Sequence, residues 1–331
     1  MKNNIKTKRI LSIDLIKIIA MYAAIMVHTE YRLFDTNWGS LATFMYQSGV
    51  IAILLFFMAS GYLLLGRRNI NYKYVLNKII KIIRYILIFC VGYWICKSLE
   101  DQHNFNFNYL LQIIIDSCRG KGSLFVFWYF TATIIIFIFL PILNYIYIYY
   151  YRIFILFFIL LLLIQNFVFC LGLVNNGSEF IPAIYKQYIW MGYFCMGGII
   201  KKINFQIPYS WLLTLIIILV NFLFEQIFNH YIENNRASFY YTSPIVLVYA
   251  FLVFISCLKL KLENYRKYMG QLSNLYLLVF TIHSFMIGYI INVFINIPFS
   301  PIIVWIVLSI ITTIISWIVM RIPYINKLLT L

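Results

Sequence analysis

Charge is scarce in this chain, and negative charge scarcest: ten Asp and Glu among 331 residues, with 11% charged side chains in all. A soluble domain carries about a quarter charged residues, so the shortage, with 63% apolar residues, excludes a soluble enzyme. Cysteine is present six times but without paired metal spacing, and five of the six (Cys90, Cys96, Cys118, Cys170, Cys195, Cys257) fall in or beside apolar segments. Neither a zinc site nor a disulfide framework is expected from that distribution; the thiols read as packing residues. No small-residue cleavage site follows the basic start and apolar run MKNNIKTKRILSIDLIKIIAMYAAIMVH, so this segment reads as a retained first helix. No repeat relating two halves is visible, and no gap between apolar runs exceeds that from about Glu100 to Ser123, which leaves no room for a soluble domain.

What the chain has in abundance is apolar runs of roughly 18 to 20 residues, the length that crosses about 30 Å of hydrocarbon at 1.5 Å per residue. Ten such spans are expected, at 10–28, 42–65, 82–99, 124–143, 153–171, 183–200, 209–228, 242–258, 274–294 and 301–320. The fold class is thus all-α: one polytopic membrane domain over 1–331 with about ten transmembrane helices. Net charge is +16, but the cations lie in short runs between spans rather than on a water-facing nucleic-acid surface. Alternate loops divide them unevenly. Nineteen, from Lys2 to Lys327, fall on one side, whereas Arg32, Lys97, Arg119, Lys121, Lys186 and Arg236 fall on the other. Cytoplasmic loops hold the excess, which places both termini in the cytoplasm.

Charge inside a span costs roughly 2.5 to 3.5 kcal/mol on insertion scales, so Asp14 and Lys17 in the first span need a reason. They lie three residues apart on one helical face, and His28, eleven beyond Lys17, returns to within about 20° of it. The stripe is either a polar site or a neutralised Asp14–Lys17 pair with an interfacial histidine. His283, near the middle of the ninth span, wants a partner or water in the same way; His103 and His230 fall beyond the apolar runs. The sixth span, with Lys186, Gly192, Gly197 and Gly198, is either a broken helix at a cavity or a place of close packing. Ser60 and Gly61 offer the same pair of readings. After the second span, Lys78, Lys81 and Arg84 gather on one side of an amphipathic helix, as topogenic charge facing anionic lipid or as a dock for a phosphorylated donor.

Four passages resemble the integral-membrane acyltransferase 3 family, which includes O-acetyltransferases of bacterial surface polysaccharides. IDLIKIIAMYAAIMVH is similar to its first helix, in which an arginine precedes a histidine by eleven residues; here Lys17 and His28 hold those places. LLFFMASGYLLLGRR with the following basic stretch resembles the second helix and its cytoplasmic segment. FVFWYFTATIIIFIFLPIL resembles the family's Trp-aromatic helix, at Trp128, Tyr129 and Pro141, and LSNLYLLVFTIHSFMI its late segment, at Ser273, Tyr276 and His283. Two departures stand out: lysine replaces arginine at Lys17, and the segment just after Arg84 lacks the proline often found there.

The resemblance implies transfer of an acyl group, most often acetyl from acetyl-CoA, to a hydroxyl of a sugar or glycolipid across the membrane. His28 is then the candidate base, or the nucleophile of an acyl-enzyme, with Asp14, Lys17 and His283 as further candidate catalytic residues. Arg67, Arg68, Lys78, Lys81 and Arg84 would hold the donor's phosphates, and Ser60, Trp128 and Tyr129 would line the substrate path. No permanently bound cofactor or metal is expected; acyl-CoA is a co-substrate, and the partners are the donor, the glycan or glycolipid acceptor and the bilayer, with no nucleic acid. A straight first helix puts His28 about 28 Å from Arg9, so the donor reaches far in through a cavity, or the helix is broken or tilted. The Lys-rich loops and the Asn/Ile-rich composition point to a bacterial plasma membrane. The competing readings are a transporter or flippase of a polar lipid or glycan precursor, and an accessory protein that only binds a partner enzyme.

Overall fold

The computed structural model describes residues 9–100, 106–174, 186–231 and 240–329. The orienting lysines Lys2, Lys6 and Lys8, the outer residues His103 and Arg236, and part of the predicted sixth span (183–185) lie outside them. The chain is all-helical, 84% helix, with no strand among the described residues. The helices are α1 (Leu11–Glu30), α2 (Gly39–Gly49), α3 (Ala52–Leu64), α4 (Tyr72–Glu100), α5 (Phe107–Cys118), α6 (Trp128–Tyr149), α7 (Tyr151–Val174), α8 (Gln187–Ile203), α9 (Ser210–Tyr231), α10 (Pro244–Leu258), α11 (Arg266–Asn274), α12 (Tyr276–Phe294), α13 (Ser300–Met320) and α14 (Pro323–Leu329).

Each of the ten expected spans coincides with a helix or a helix pair. Among the described residues seven helical segments are long and apolar enough to cross a bilayer, with α2 and α3 counted together as Gly39–Leu64. An eighth is added if α10 and the helical segment Glu263–Asn274, bent from it by 87°, form one broken span. The remainder are α8, with 17 residues and Lys201 and Lys202 in its last turn, and α9, whose apolar part is Ser210–Phe224.

Local chemistry sets the element boundaries. Proline opens α10 and α13, where a missing N–H costs nothing. Asn204, in the left-handed region at φ 52°, closes α8. The span expected at 42–65 is divided at Val50–Ile51. The gap from Glu100 to Ser123 is not all loop: it holds α5, whose Asn106 side chain caps the Asn108 N–H at 2.9 Å and whose Leu110, Ile113 and Ser117 are buried. At twelve residues it is too short for a span, which is why a search for long apolar runs passes over it.

The central element is α1, which packs against α2, α3, α10, α11, α12 and α13. Beside it, α3 is buried along almost its whole length and interlocks with α8. A Cβ on Gly61 would strike the Phe194 carbonyl, and one on Gly197 would strike the Met58 carbonyl. Close packing therefore accounts for both glycines, and α8 runs unbroken from Gln187 to Ile203. Apolar side chains such as Leu156, Leu160, Leu163 and Phe167 of α7 face outward, as lipid contact requires. All six cysteines are free thiols, with Cys90, Cys195 and Cys257 buried.

Candidate active site

Polar groups gather at the two ends of α1; the end where it begins is termed basal and the end where it finishes apical. At the basal end, the Arg9 guanidinium forks onto the Asp14 carboxylate, with Nη2 3.2 Å from Oδ1 and Nε on Oδ2. The same Nη2 donates to the Gly270 carbonyl at 3.0 Å, to Ser273 Oγ at 3.2 Å and to Asn274 Oδ1 at 3.1 Å, and Ser273 Oγ donates to Asp14 Oδ1 at 2.7 Å. Asp14 is thus neutralised by Arg9 rather than by Lys17. A bidentate fork on a buried carboxylate is among the stronger polar contacts, and it ties the start of α1 to α11.

Lys17, freed from that pairing, lies one turn higher with its ammonium 5.4 Å from the centre of the Tyr276 ring. It is close enough to Lys78 for mutual repulsion, and Lys78 likewise meets Lys81 and Arg67. Lys78, Lys81 and Arg84 are half-buried on the inner side of α4, while Leu76, Ile80, Ile83 and Leu87 are exposed on its outer side. The Arg84 Nε atom is buried without a partner among the described residues, and Arg68 is exposed. The turn carrying Arg67 and Arg68 is fixed by other helices. Gly66, at φ 82°, donates its N–H to Asn144 Oδ1 at 2.8 Å, Asn144 Nδ2 donates to the Arg67 carbonyl at 2.8 Å, and Lys201 Nζ donates to the Leu65 carbonyl at 2.8 Å. An open cleft of about 770 Å³ lies beside this end, lined by Arg9, Ser12, Lys259, Lys261, Glu263 and Asn264 among others.

At the apical end, α1 and α12 bring His28 and His283 together with ring centroids 5.4 Å apart and 20° between planes. Phe125, in the 3₁₀ turn before α6, meets His28 edge-on at 4.7 Å, and Phe280 lies 5.6 Å from His283. His283 is fully buried; its Nδ1 is 3.4 Å from the Val279 carbonyl, which can only accept, while Nε2 has no partner among the described residues. The neutral ring that satisfies this geometry carries its proton on Nδ1 and presents a free lone pair at Nε2.

Between the two ends the space is aromatic. Phe56 lies 5.5 Å from Tyr276, 6.1 Å from Phe280 and 5.8 Å from Tyr129, and Tyr129 lies 5.7 Å from Phe280. Ser60 sits beside the Tyr129 side chain. Trp128, one residue earlier and so about 100° around α6, points elsewhere: it packs on Trp190 at 5.1 Å and against Gly120.

Of the residues the sequence singles out, Asp14, Lys17, Lys78, Lys81 and Arg67 thus share the basal end, His28 and His283 the apical end, and Ser60 and Tyr129 the space between; Trp128 stands apart. Sequence reasoning missed Arg9, counted there only as topogenic charge, although its place five residues before a buried acid was a usable clue. It also missed Phe56, Phe125 and Phe280, which periodicity cannot tell from ordinary packing residues.

No curated protein and no solved structure gives a significant match to the chain. The acyltransferase 3 family model, described as an acyltransferase domain, matches residues 10–321, nearly the whole length and both ends of the site. With its apolar helices and this match together, the chain belongs to the acyltransferase 3 family of multi-pass membrane acyltransferases.

Proposed function

We propose that the protein moves an acyl group, acetyl as the simplest case, from a cytoplasmic acyl-CoA to a hydroxyl of a cell-surface sugar or glycolipid. The observation that carries this reading is the division of α1, which presents cations at its basal end and a paired imidazole at its apical end, about 16 Å further along the axis from Lys17 to His28. Lys and Arg suit phosphates; Lys17, Lys78, Lys81 and Arg67 would seat the donor's nucleotide end. In this reading that end and both termini face the cytoplasm, as the charge bias of the loops favours, and the chain crosses a bacterial plasma membrane ten times. Because α1 is continuous, the donor arm enters between helices rather than through a break in α1.

His28 would take the proton of the acceptor hydroxyl as its oxygen attacks the thioester carbonyl, a contribution of typically 100- to 10,000-fold. The tetrahedral intermediate then collapses, the C–S bond breaks, and the thiolate leaves and is protonated. His283, with its free Nε2 beside His28, would hold the base in place. Asp14, locked to Arg9, has a structural task in this scheme, fixing the start of α1.

The experiment is transfer of radiolabelled acetyl from acetyl-CoA by the purified protein in liposomes carrying glycan acceptors, comparing wild type with His28→Ala. Label on the acceptor, lost at least 100-fold in the variant while its thermal stability is retained, supports the reading. Absence of donor consumption with every acceptor overturns it in favour of transport.

A further inference from the structure

Arg32 stands where the charge bias read from the sequence disfavours a cation, being one of the six Lys or Arg assigned there to the outer side against nineteen on the other. It lies just past the end of α1, one helical turn or about 6 Å beyond His28, with its backbone N–H on the Thr29 carbonyl at 3.2 Å. The side chain is exposed and reaches toward α12: Nη1 lies 3.9 Å from the point a Cβ on Gly288 would occupy, an ordinary contact distance. The guanidinium is near enough to oppose positive charge on both His28 and His283.

No carboxylate among the described residues pairs with Arg32. Between described residues, carboxylates pair with Arg9 (Asp14), Lys97 (Glu100) and Arg266 (Glu263). Glu30, two residues earlier, is buried with its Oε1 on the Thr29 hydroxyl at 3.1 Å, about 200° around the helix from His28. Asp35 is exposed and in no ion pair.

An unpaired guanidinium is a poor neighbour for a general base. When His28 takes a proton it becomes a cation, and Arg32 raises the energy of that state. A negative group seated on the guanidinium removes the penalty, and a planar fork matches a carboxylate or phosphate. We propose that Arg32 forms an acceptor subsite that selects an anionic sugar, one bearing a carboxylate or phosphate next to the hydroxyl presented to His28. Resting on the acyl-transfer reading, it adds the charge class of the acceptor.

The test uses the full-length protein in nanodiscs and three probes: a galacturonate trimer, a glycerol-phosphate trimer and the neutral galactose trimer. Equilibrium binding without any donor is measured for wild type, Arg32→Gln and Arg32→Lys. Wild type should bind at least one anionic probe 10- to 100-fold tighter than the neutral one, the range expected for a charge-assisted hydrogen bond. Arg32→Gln should lose that preference and leave neutral binding unchanged, Arg32→Lys should keep part of it, and the two anionic probes tell carboxylate from phosphate. Anionic binding no tighter than neutral in wild type, absence of binding included, overturns the proposal, as does a preference that survives in Arg32→Gln. Binding needs no turnover, so failure of the acyl-transfer reading shows separately, as donor left unconsumed in the liposome assay.

Discussion

Replacing Gly61 or Gly197 with alanine tests the contact that organises the interior. A Cβ on Gly61 would sit 2.8 Å from the Phe194 carbonyl carbon and 3.2 Å from its Cα; one on Gly197 would sit 2.7 and 2.9 Å from the same atoms of Met58. These are backbone atoms within helices, so no side-chain rotation relieves the overlap and α3 must move away from α8. That movement loosens the Phe57–Trp190 stack at 5.5 Å and the seat of Leu65 against Gly198. Overpacking of this kind costs about 1 to 3 kcal/mol, and the upper end applies where only backbone can yield. With about 2.1 cal/mol/K of unfolding entropy per residue, 3 kcal/mol over a chain of this size lowers Tm by about 4 °C. Gly92 on α4, with nothing within 4 Å of its Cβ position, is the internal control: alanine there should stabilise by about 0.5 to 1 kcal/mol. Since both glycines separate the same pair of helices, the double variant should cost less than the sum of the two. Thermal unfolding in detergent, read by tryptophan fluorescence, compares the four variants with wild type. A Tm unchanged or raised in both Gly61→Ala and Gly197→Ala refutes the interlocked packing.

Three further outcomes are expected. Asp14→Asn should destabilise by about 1 to 3 kcal/mol, because it leaves the Arg9 fork facing the Ser273 and Asn274 oxygens without its carboxylate, and adding Arg9→Gln should restore part of the loss; equal stability of all three proteins in a thermal melt counts against a structural ion pair. Asn144→Leu removes both hydrogen bonds that fix the Gly66–Arg67 turn, and should raise the donor KM while kcat holds, whereas a changed acceptor KM with donor KM constant would separate that turn from the donor. Cys96, exposed near the apical end of α4, should be modified by a membrane-impermeant maleimide from outside intact cells in a variant keeping only that cysteine; labelling solely in inverted vesicles reverses the proposed orientation.

Hydrophobic length made most of the fold legible, since a run of twenty apolar residues has few alternatives to a helix in lipid. Length says nothing of partners, however. That Asp14 and Lys17 share a face was evident from their spacing, but that Arg9 takes Asp14 and leaves Lys17 over Tyr276 depends on α11 and α12, more than 250 residues away in the chain. The approach of His28 and His283 is likewise a matter of tertiary packing between α1 and α12; His28 was noticed through its spacing from Lys17 and the family pattern, and His283 because a polar ring in an apolar run is costly. The glycine choice between packing and a cavity needed the facing backbone, which no pattern within α8 contains. Amphipathic α5 was hidden because twelve residues with one apolar face match neither a spanning helix nor a loop.

The aromatic block between the two ends constrains how a transfer reaction would use them. Phe56, Phe280 and Tyr129 are buried, and their rings fill the interval between Tyr276 and His283. Such a wall offers a phosphate no cation and little beyond the Tyr129 hydroxyl, and a phosphate in a low-dielectric interior carries a large desolvation cost. The proposed donor would therefore leave its charged portion among Lys17, Lys78 and Arg67 and pass only its thin, uncharged thioester arm toward His28. These rings are buried among one another, so such an arm would have to displace them to pass. In that scheme the same residues stand between donor and acceptor, and the length of α1 between Lys17 and His28 sets the reach the donor must have.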